Sequence, residues 1–194
     1  MTKPLAPFRF DIVGSFLRPD YLKEARAQFA AGNITQEELT AIEDKAIIEL
    51  IEKEKAVGLN AVTDGEFRRS MWHLDFLAAL DGVKEVGAEH WSVEFKGHQP
   101  KSKTVIIDGT IDFNDHPFLQ HFLFTKKAAG ETLVKQTIPS PTMLHLICCV
   151  REENYQPIEQ YKDEAKLFAD IAAAYRKAIK SFYDEGCRYL QIDD

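Results

Sequence analysis

The sequence has few cysteines, and they are not arranged in pairs. Its 194 residues include only Cys148, Cys149 and Cys187, an odd number with no CxxC spacing. Disulfide-based domains carry even sets of cysteines, and zinc knuckles carry spaced pairs. The pattern therefore favours neither kind of structure. It is typical of a protein of the reducing cytoplasm, and we expect that location.

Long apolar runs and blocks of like charge are also missing. Nowhere do about 18 consecutive apolar residues occur, the length that a membrane-spanning helix needs, and no signal-peptide-like stretch follows Met1. The formal net charge of -7 comes from 31 acidic and 24 basic residues that are interspersed. This composition argues against nucleic acid or an anionic membrane as the main partner. We expect small-molecule substrates instead.

What the sequence does contain is an alternation of strand and helix patterns. Four apolar runs are predicted to be strands, at 10–15, 60–66, 133–138 and 189–194. Four stretches with helical spacing or helix-end signals are predicted to be helices, at 20–31, 35–58, 115–129 and 157–185. The second of these begins at a Thr35–Glu38 capping box. Such alternation is typical of a parallel sheet covered by helices.

The predicted fold class is α/β, of the TIM (β/α)8-barrel type. A complete barrel takes about 250 residues, so this chain would contain about the first four βα units. The region 83–113 has strand-like stretches at 92–96 and 104–107 around a polar turn, and we expect a β-hairpin inserted into the repeat. Residues 1–194 are predicted to form a single domain, the first half of a barrel.

Three of the predicted strands end on polar residues. These ends are Gly14-Ser15, Asp64-Gly65-Glu66 and Asp193-Asp194. Because the chemistry of a parallel barrel lies at the C-terminal ends of its strands, we expect the three ends to converge on one polar rim.

The residue types at this rim suit an amino acid. Gly14 permits close backbone approach, and Ser15 offers a hydroxyl and an N–H that suit a carboxylate. Glu66 and Asp193 would form an anionic cleft that suits an ammonium group. A simple Gly-Ser turn, and acids that cap the following helices, are the alternatives.

Asp64 and Asp194 are predicted to support the site. Successive strand residues point to opposite faces, so Asp194 should not share the face of Asp193 and is expected to support the site or to cap. The same period places Asp64 on the face of Glu66. It is expected to support Glu66 or to pair with one of the arginines at 68 and 69, for which a solvated pair in a loop is the alternative.

His73 and a His-Cys-Cys cluster are the remaining candidates. His73 stands beside Trp72 after the second predicted strand, where it could support the site, although core packing is an equal alternative. His145, Cys148 and Cys149 are ligand types for zinc. They lie in an apolar stretch, however, where cysteines usually pack as small hydrophobic residues. No metal site is expected there.

Five motifs, in this order and spacing, resemble a known family. They are Val13-Gly14-Ser15-Phe16, Asp64-Gly65-Glu66-Phe67-Arg68-Arg69, Pro139-Ser140-Pro141-Thr142, Val150-Arg151-Glu152 and Gln191-Ile192-Asp193. The chain resembles the first half of the catalytic barrel of cobalamin-independent methionine synthase and its 5-methyltetrahydropteroyltriglutamate–homocysteine methyltransferase-like relatives. The resemblance implies zinc-dependent methyl transfer from methyltetrahydrofolate to homocysteine, which forms methionine.

The resemblance also implies roles for individual residues. Glu66 and Asp193 match the carboxylates that hold the substrate ammonium, and the stretch Val13-Gly14-Ser15 matches the segment that binds its carboxylate. The zinc ligands of the family lie on later strands. This chain alone is therefore expected to hold no zinc and to be incomplete for catalysis, with no catalytic residue assigned to it.

A sheet that stops after four strands leaves unpaired backbone groups and an open apolar face. The chain is therefore predicted to form a homodimer or to lack a C-terminal half. The alternative function is that of a non-catalytic half-barrel that binds an amino acid or associates with itself. A decarboxylase-like relative on the same type of barrel is a third possibility.

Overall fold

A computed structural model describes residues 11–87, 103–150 and 155–194, which have a mixed α/β fold. The chain divides into two compact units. The first unit is formed by 1–69, 121–137 and 186–191, and the second by 70–120, 138–185 and 192–194. Of the helices described, none combines the length and apolar character that a bilayer-spanning helix requires.

Two helices open the first unit. Helix α1 (Asp20–Ala30) follows Pro19, and α2 (Gln36–Ala56) begins at the predicted capping box. The Thr35 hydroxyl accepts from the Glu38 N–H at 3.2 Å, and the Glu38 carboxylate accepts from the Thr35 N–H at 2.7 Å. The capping box is therefore confirmed, and it satisfies two backbone donors that would otherwise lack partners at the helix start.

The three-stranded sheet has the strand order β1-β4-β5. Strand β1 (Ala61–Val62) runs parallel to β4 (Leu133–Pro139), with Ala61 opposite Leu133. Strand β5 (Tyr189–Asp193) is the other neighbour of β4. Strand β4 is buried along almost its entire length, as expected of a strand that is covered on both faces.

Two strand predictions need correction. The strand predicted at 60–66 stops at Val62, because the backbone then turns through left-handed conformations at Gly65 and Glu66. The described part of the strand predicted at 10–15 has no strand pairing. Its carbonyl groups are bonded to side chains instead: Gly14 accepts from the Thr63 hydroxyl, and Ile12 from the Lys135 ammonium.

The second unit contains an antiparallel pair. Strand β2 (Asp81–Gly87) pairs with β3 (Lys103–Asp112), with an irregularity between Asp81 and Val83. A side chain at Gly82 would lie 2.5 Å from the Thr110 carbonyl oxygen, so only glycine fits there. The stretches 92–96 and 97–100, expected as the first strand and the turn of the hairpin, lie outside the described residues. The described partner of β3 is β2.

The last helix of the second unit is long, and the helices before it are shorter. Short helices α3 (Leu74–Leu77) and α5 (Pro141–His145) precede a π-helical turn at Leu146–Val150 and a 3-10 turn at Glu159–Tyr161. Helix α4 (Pro117–Ala129) begins in this unit and ends in the first. Helix α6 spans Glu164–Asp184 rather than 157–185, because Asp163 caps it with a 3.0 Å bond from the Ala165 N–H.

Helix α6 contributes Tyr175 and Phe182 to an aromatic core of the second unit. Phe76 lies at the centre, with its ring centroid 6.2 Å from that of Phe113 and 5.9 Å from that of Tyr175. Phe113 stacks on His116 at 4.7 Å. These buried aromatic side chains stabilise the unit through apolar contact and offset ring packing.

Candidate functional site

The turn at 63–69, directly after β1, presents Glu66. Gly65 and Glu66 have φ values of +66° and +57°. A non-glycine residue in this region is uncommon and needs support from its surroundings. The Asp64 carboxylate gives that support by accepting from the Glu66 N–H at 2.8 Å, and the Thr63 hydroxyl accepts from the Gly65 N–H at 3.0 Å.

Glu66 is 6% exposed and forms a closed triangle with Arg69 and Thr137. Its Oε1 atom accepts from the Thr137 hydroxyl at 2.9 Å and from Arg69 Nη1 at 3.1 Å. Arg69 Nη2 in turn donates to the Thr137 hydroxyl and carbonyl oxygens, both at 2.8 Å. A buried charge that is paired and hydrogen-bonded in this way has a fixed position. Oε1 is the atom used in these bonds, and a carboxylate has a second oxygen that can accept.

Gly14 packs against this triangle. A Cβ atom at Gly14 would lie 2.9 Å from Thr137 Cγ2 and 3.4 Å from Glu66 Oε1. The Thr63 hydroxyl donates to the Gly14 carbonyl at 2.9 Å, and the Phe16 N–H donates to the Gly65 carbonyl at 3.1 Å. The structure therefore brings Gly14 and Glu66 together, although neither residue lies at the end of a strand. Ser15, the next residue, is exposed.

Arginines hold the backbone of the turn. Arg18 donates through Nη2 to the Glu66 carbonyl at 2.7 Å and to the Arg69 carbonyl, and through Nε to the Phe67 carbonyl at 3.3 Å. Arg68 pairs with Glu43 at 3.3 Å and with Asp44. Two arginines were candidate partners of Asp64. Of these, Arg68 pairs with acids of α2, and Arg69 pairs with Glu66.

Glu54, on α2, supports the turn from the other side. Both of its carboxylate oxygens accept from the Thr63 N–H at 3.2 Å. The side chain is almost fully buried, with 2% of the residue exposed. The pKa of Glu54 is raised to about 7: burial is the main cause, the bonds from Thr63 oppose the rise, and the nearby Asp64 charge adds to it.

Asp193 and Asp194 belong to the second unit. The Asp193 carbonyl accepts from the Ser140 N–H at 2.6 Å. The exposed Asp194 carboxylate accepts from the Ser140 hydroxyl at 2.6 Å and the Thr142 hydroxyl at 2.7 Å, and these bonds hold its pKa below the ordinary value. Asp194 therefore binds two side-chain hydroxyls at the start of α5.

His73 also belongs to the second unit, at the start of α3. Its ring lies 4.6 Å from the Trp72 ring, and its carbonyl accepts from the Leu77 N–H at 3.0 Å. His73 therefore has a local structural role, whatever further part it plays.

The residues of the His-Cys-Cys cluster have protein partners. The Cys148 thiol donates to the Val105 carbonyl at 3.1 Å, and burial raises its pKa. Burial also raises the pKa of Cys149, and His145 lies 3.3 Å from Glu164. Across residues 11–87, 103–150 and 155–194, no group of three or more His, Cys, Asp or Glu side chains is placed to hold a metal ion.

The sequence patterns did not single out Thr137 or Glu54. A signal for Thr137 exists, since Lys135-Gln136-Thr137 places three polar residues in an otherwise apolar buried strand. Lys135 bonds to Asp11 at 2.9 Å, so the same strand face carries a second buried polar contact. Glu54 could have been noticed as an acid on the apolar face of α2, near Leu50 and Ile51.

Comparison with known proteins gives a consistent result. The family model described as the catalytic domain of cobalamin-independent synthase matches residues 9–194. The protein YxjG of Bacillus subtilis strain 168 is 47% identical over 189 residues, which are 97% of this chain and 48% of YxjG. A methionine synthase of Sulfolobus acidocaldarius is 28% identical over 183 residues, which are 94% of this chain and 50% of that protein.

Two solved structures are also similar. A putative vitamin-B12-independent methionine synthase from Listeria monocytogenes has a TM-score of 0.81 and 46% identity, covering 99% of this chain and 53% of that one. A B12-independent methionine synthase from a Shewanella species was solved with selenomethionine and has a TM-score of 0.62 and 19% identity. The match covers 84% of this chain and 44% of the Shewanella chain. The chain thus spans about half the length of the relatives it matches.

Proposed function

This chain belongs to the cobalamin-independent methionine synthase family, and from that membership we propose that it supplies the amino-acid-binding part of a homocysteine methyltransferase. The observation that carries the proposal is the contact of Gly14 with the Glu66–Thr137 pair, where an added Cβ atom would lie 2.9 Å from Thr137 Cγ2. A backbone segment without a side chain is thereby held beside a fixed carboxylate. An amino acid carries a carboxylate, which backbone N–H groups can bind, and an ammonium group, which the Glu66 carboxylate can bind.

Each predicted residue then has a role. Gly14 and Ser15 bind the substrate carboxylate, Ser15 through its exposed hydroxyl and N–H. Glu66 binds the ammonium through the oxygen that the triangle leaves available, and Asp193 is a second acceptor for it. Asp64 supports Glu66 through its bond to the Glu66 N–H. His73 and Asp194 are the further residues proposed to support the site.

We further propose that residues 1–194 form one domain, the first half of a TIM (β/α)8 barrel of about four βα units, with 83–113 inserted as a hairpin. The parallel pairing of β1 with β4 and the family's solved structures support this proposal. Few, unpaired cysteines suit the cytoplasm, which is the location that we propose.

The family resemblance implies methyl transfer from methyltetrahydrofolate to the homocysteine thiol. It also implies zinc, for which the described side chains offer no fitting ligand group. The role proposed for this chain uses its own groups alone: it binds the amino-acid end of homocysteine and orients it. Methyl transfer itself requires groups beyond those described.

Calorimetry with L-homocysteine tests the binding role. Glu66→Gln should weaken binding by roughly 1.5–3 kcal/mol, because a charge-assisted bond to the ammonium is lost. The analogue 4-mercaptobutyrate, which lacks the ammonium, should bind wild type and variant equally weakly. Glu52→Gln, at an exposed residue of α2, is the matched control. Equal affinity of wild type and Glu66→Gln for homocysteine would remove Glu66 from the site.

The half-length match supports a proposal about assembly. We propose that the open half-barrel is completed either by a C-terminal half or by a second copy of the chain in a homodimer. A dimer that covers the open face should bury about 2,000 Å² or more. Light scattering, together with the intact mass, distinguishes a homodimer from a chain that continues into a C-terminal half. A monomer of 22.1 kDa with a cooperative melt would contradict the half-barrel.

A further inference from the structure

A buried carboxylate connects α2 to the candidate site. Glu54 accepts from the Thr63 N–H with both oxygens at 3.2 Å. The Thr63 hydroxyl donates to the Gly14 carbonyl at 2.9 Å and accepts from the Gly65 N–H at 3.0 Å. One threonine, anchored by Glu54, thus fixes both the segment that carries Gly14 and the turn that carries Glu66.

A groove lies beside Glu54. Glu54 lines an open groove of about 580 Å³ between α2 and the segment 12–19. The residues that the segment contributes are all uncharged: Ile12, Phe16, Leu17 and Pro19. Glu49 and Lys53 line the groove from the same helix as Glu54, and Asp64 acts on Glu54 from the turn.

We propose that Glu54 is a positioning residue, whose carboxyl group sets the geometry of the 63–69 turn and thereby the affinity of the site for an amino acid. The part concerning affinity rests on the proposed function. In the ionised form, two oxygens are available to the Thr63 N–H, and the negative charge adds to that of Asp64. Protonation converts one oxygen to a donor and removes the charge, so the turn loses part of its anchor.

The pKa of about 7 places this change in the physiological range. Glu54 is buried among apolar groove residues and bonded to the turn, whereas the exposed Glu52 on the same helix pairs with Lys55 at 3.1 Å. Glu52 therefore offers a control with the same residue type and helix but no contact with the turn.

NMR of the full chain tests the positioning role without any ligand. In the wild type, the Thr63 and Gly65 amide resonances should shift with a midpoint near pH 7, because their bonds change with the Glu54 proton. In Glu54→Gln, which keeps an acceptor but does not titrate, the shift should be absent. Glu52→Gln should behave as the wild type. Resonances that do not shift, or that shift equally in Glu54→Gln, would overturn the proposal.

Calorimetry with L-methionine as the probe then tests the link to binding. Between pH 8 and pH 6, the affinity of the wild type relative to Glu54→Gln should fall at least about fivefold, the lower range of couplings between linked sites. The ratio cancels the ligand's own titration. A constant ratio with measurable binding would overturn the link. If the Thr63 and Gly65 amide resonances shift with pH but no variant binds the amino acid, the positioning of the turn by Glu54 is supported. The proposed amino-acid site is then contradicted instead.

Discussion

Glu66 and Asp194 both follow a strand of the three-stranded sheet, yet their carboxylates have different surroundings. Glu66 is 6% exposed, has a left-handed backbone and bonds to Arg69 and Thr137. Asp194 is exposed and accepts from the hydroxyls of Ser140 and Thr142. The same sequence signature, an acid at a strand end, thus yields a fixed buried charge in one unit and a solvated helix contact in the other.

The difference shows which acid can be preorganised. Fixing a buried charge requires several donors and a supporting backbone, and these are present around Glu66. An exposed carboxylate remains hydrated, so its bonds contribute little to stability. Substitutions in the two regions should therefore differ greatly in their effect.

The largest effect is expected for Arg69→Met. Removing the guanidinium leaves the buried Glu66 carboxylate without its cation, which should lower the free energy of unfolding by about 3–5 kcal/mol. Urea unfolding measures this change. Lys45→Met, in the exposed Lys45–Glu49 pair, should have little effect by comparison. A loss of under 1 kcal/mol in Arg69→Met would show that the triangle is not a buried ion pair in solution.

A second, pH-dependent effect is expected for Glu54→Gln. The folded pKa of Glu54 is raised from 4.5 to about 7, so its contribution to stability is present below about 4.5 and is lost as pH rises through 7. Over that window the wild type should lose up to about 3 kcal/mol relative to the variant. Urea melts across the pH series test this, with Glu52→Gln as control. A difference that stays constant with pH would contradict the raised pKa.

Gly14→Ala should have an intermediate effect. The new methyl group would lie 2.9 Å from Thr137 Cγ2, so the triangle must shift, at a cost of about 1–3 kcal/mol. Amino-acid affinity should fall as well. Gly87→Ala, where no atom of the described residues lies within 4 Å of the added methyl, controls for the substitution itself. An unchanged melting midpoint in Gly14→Ala would show that the close contact does not exist.

The smallest effect is expected for Asp194→Asn. The side chain is solvated, and asparagine can still accept from the Ser140 and Thr142 hydroxyls. The midpoint of unfolding should therefore stay within error of the wild type at neutral pH. A loss as large as that of Arg69→Met would remove the contrast between the two strand ends.

Local signals in the sequence predict part of this structure well. The Thr35–Glu38 pattern marks the start of α2 because both bonds of the capping box form within one helical turn. The start of α6 is less visible, because a 3-10 turn at Glu159–Tyr161 and the Asp163 cap precede it. The presence of both helices was therefore predictable, whereas the predicted start of α6 was several residues too early.

The geometry of the site depends on contacts between distant residues. The strand at 60–66 is cut short because Arg18 and Thr137, far away in the sequence, hold Glu66 in a left-handed conformation. The pairing of Arg69 with Glu66 also requires β4 to lie beside the turn. Periodicity gives no information on such contacts. The approach of Gly14 to Glu66 was expected from two parallel strand ends. It is made instead by a segment without strand pairing, which bonds to the turn through the Thr63 hydroxyl and the Phe16 N–H.

The central claim is that the Gly14–Glu66 contact forms an amino-acid site, and anomalous diffraction from crystals of this chain grown with L-selenomethionine tests it most directly. The selenium peak identifies the bound molecule. We expect its ammonium within hydrogen-bonding distance of Glu66 and its carboxylate at the Gly14–Ser15 backbone. Selenium bound elsewhere, with Glu66 contacted by Arg69 and Thr137 but not by the ligand, would contradict the account.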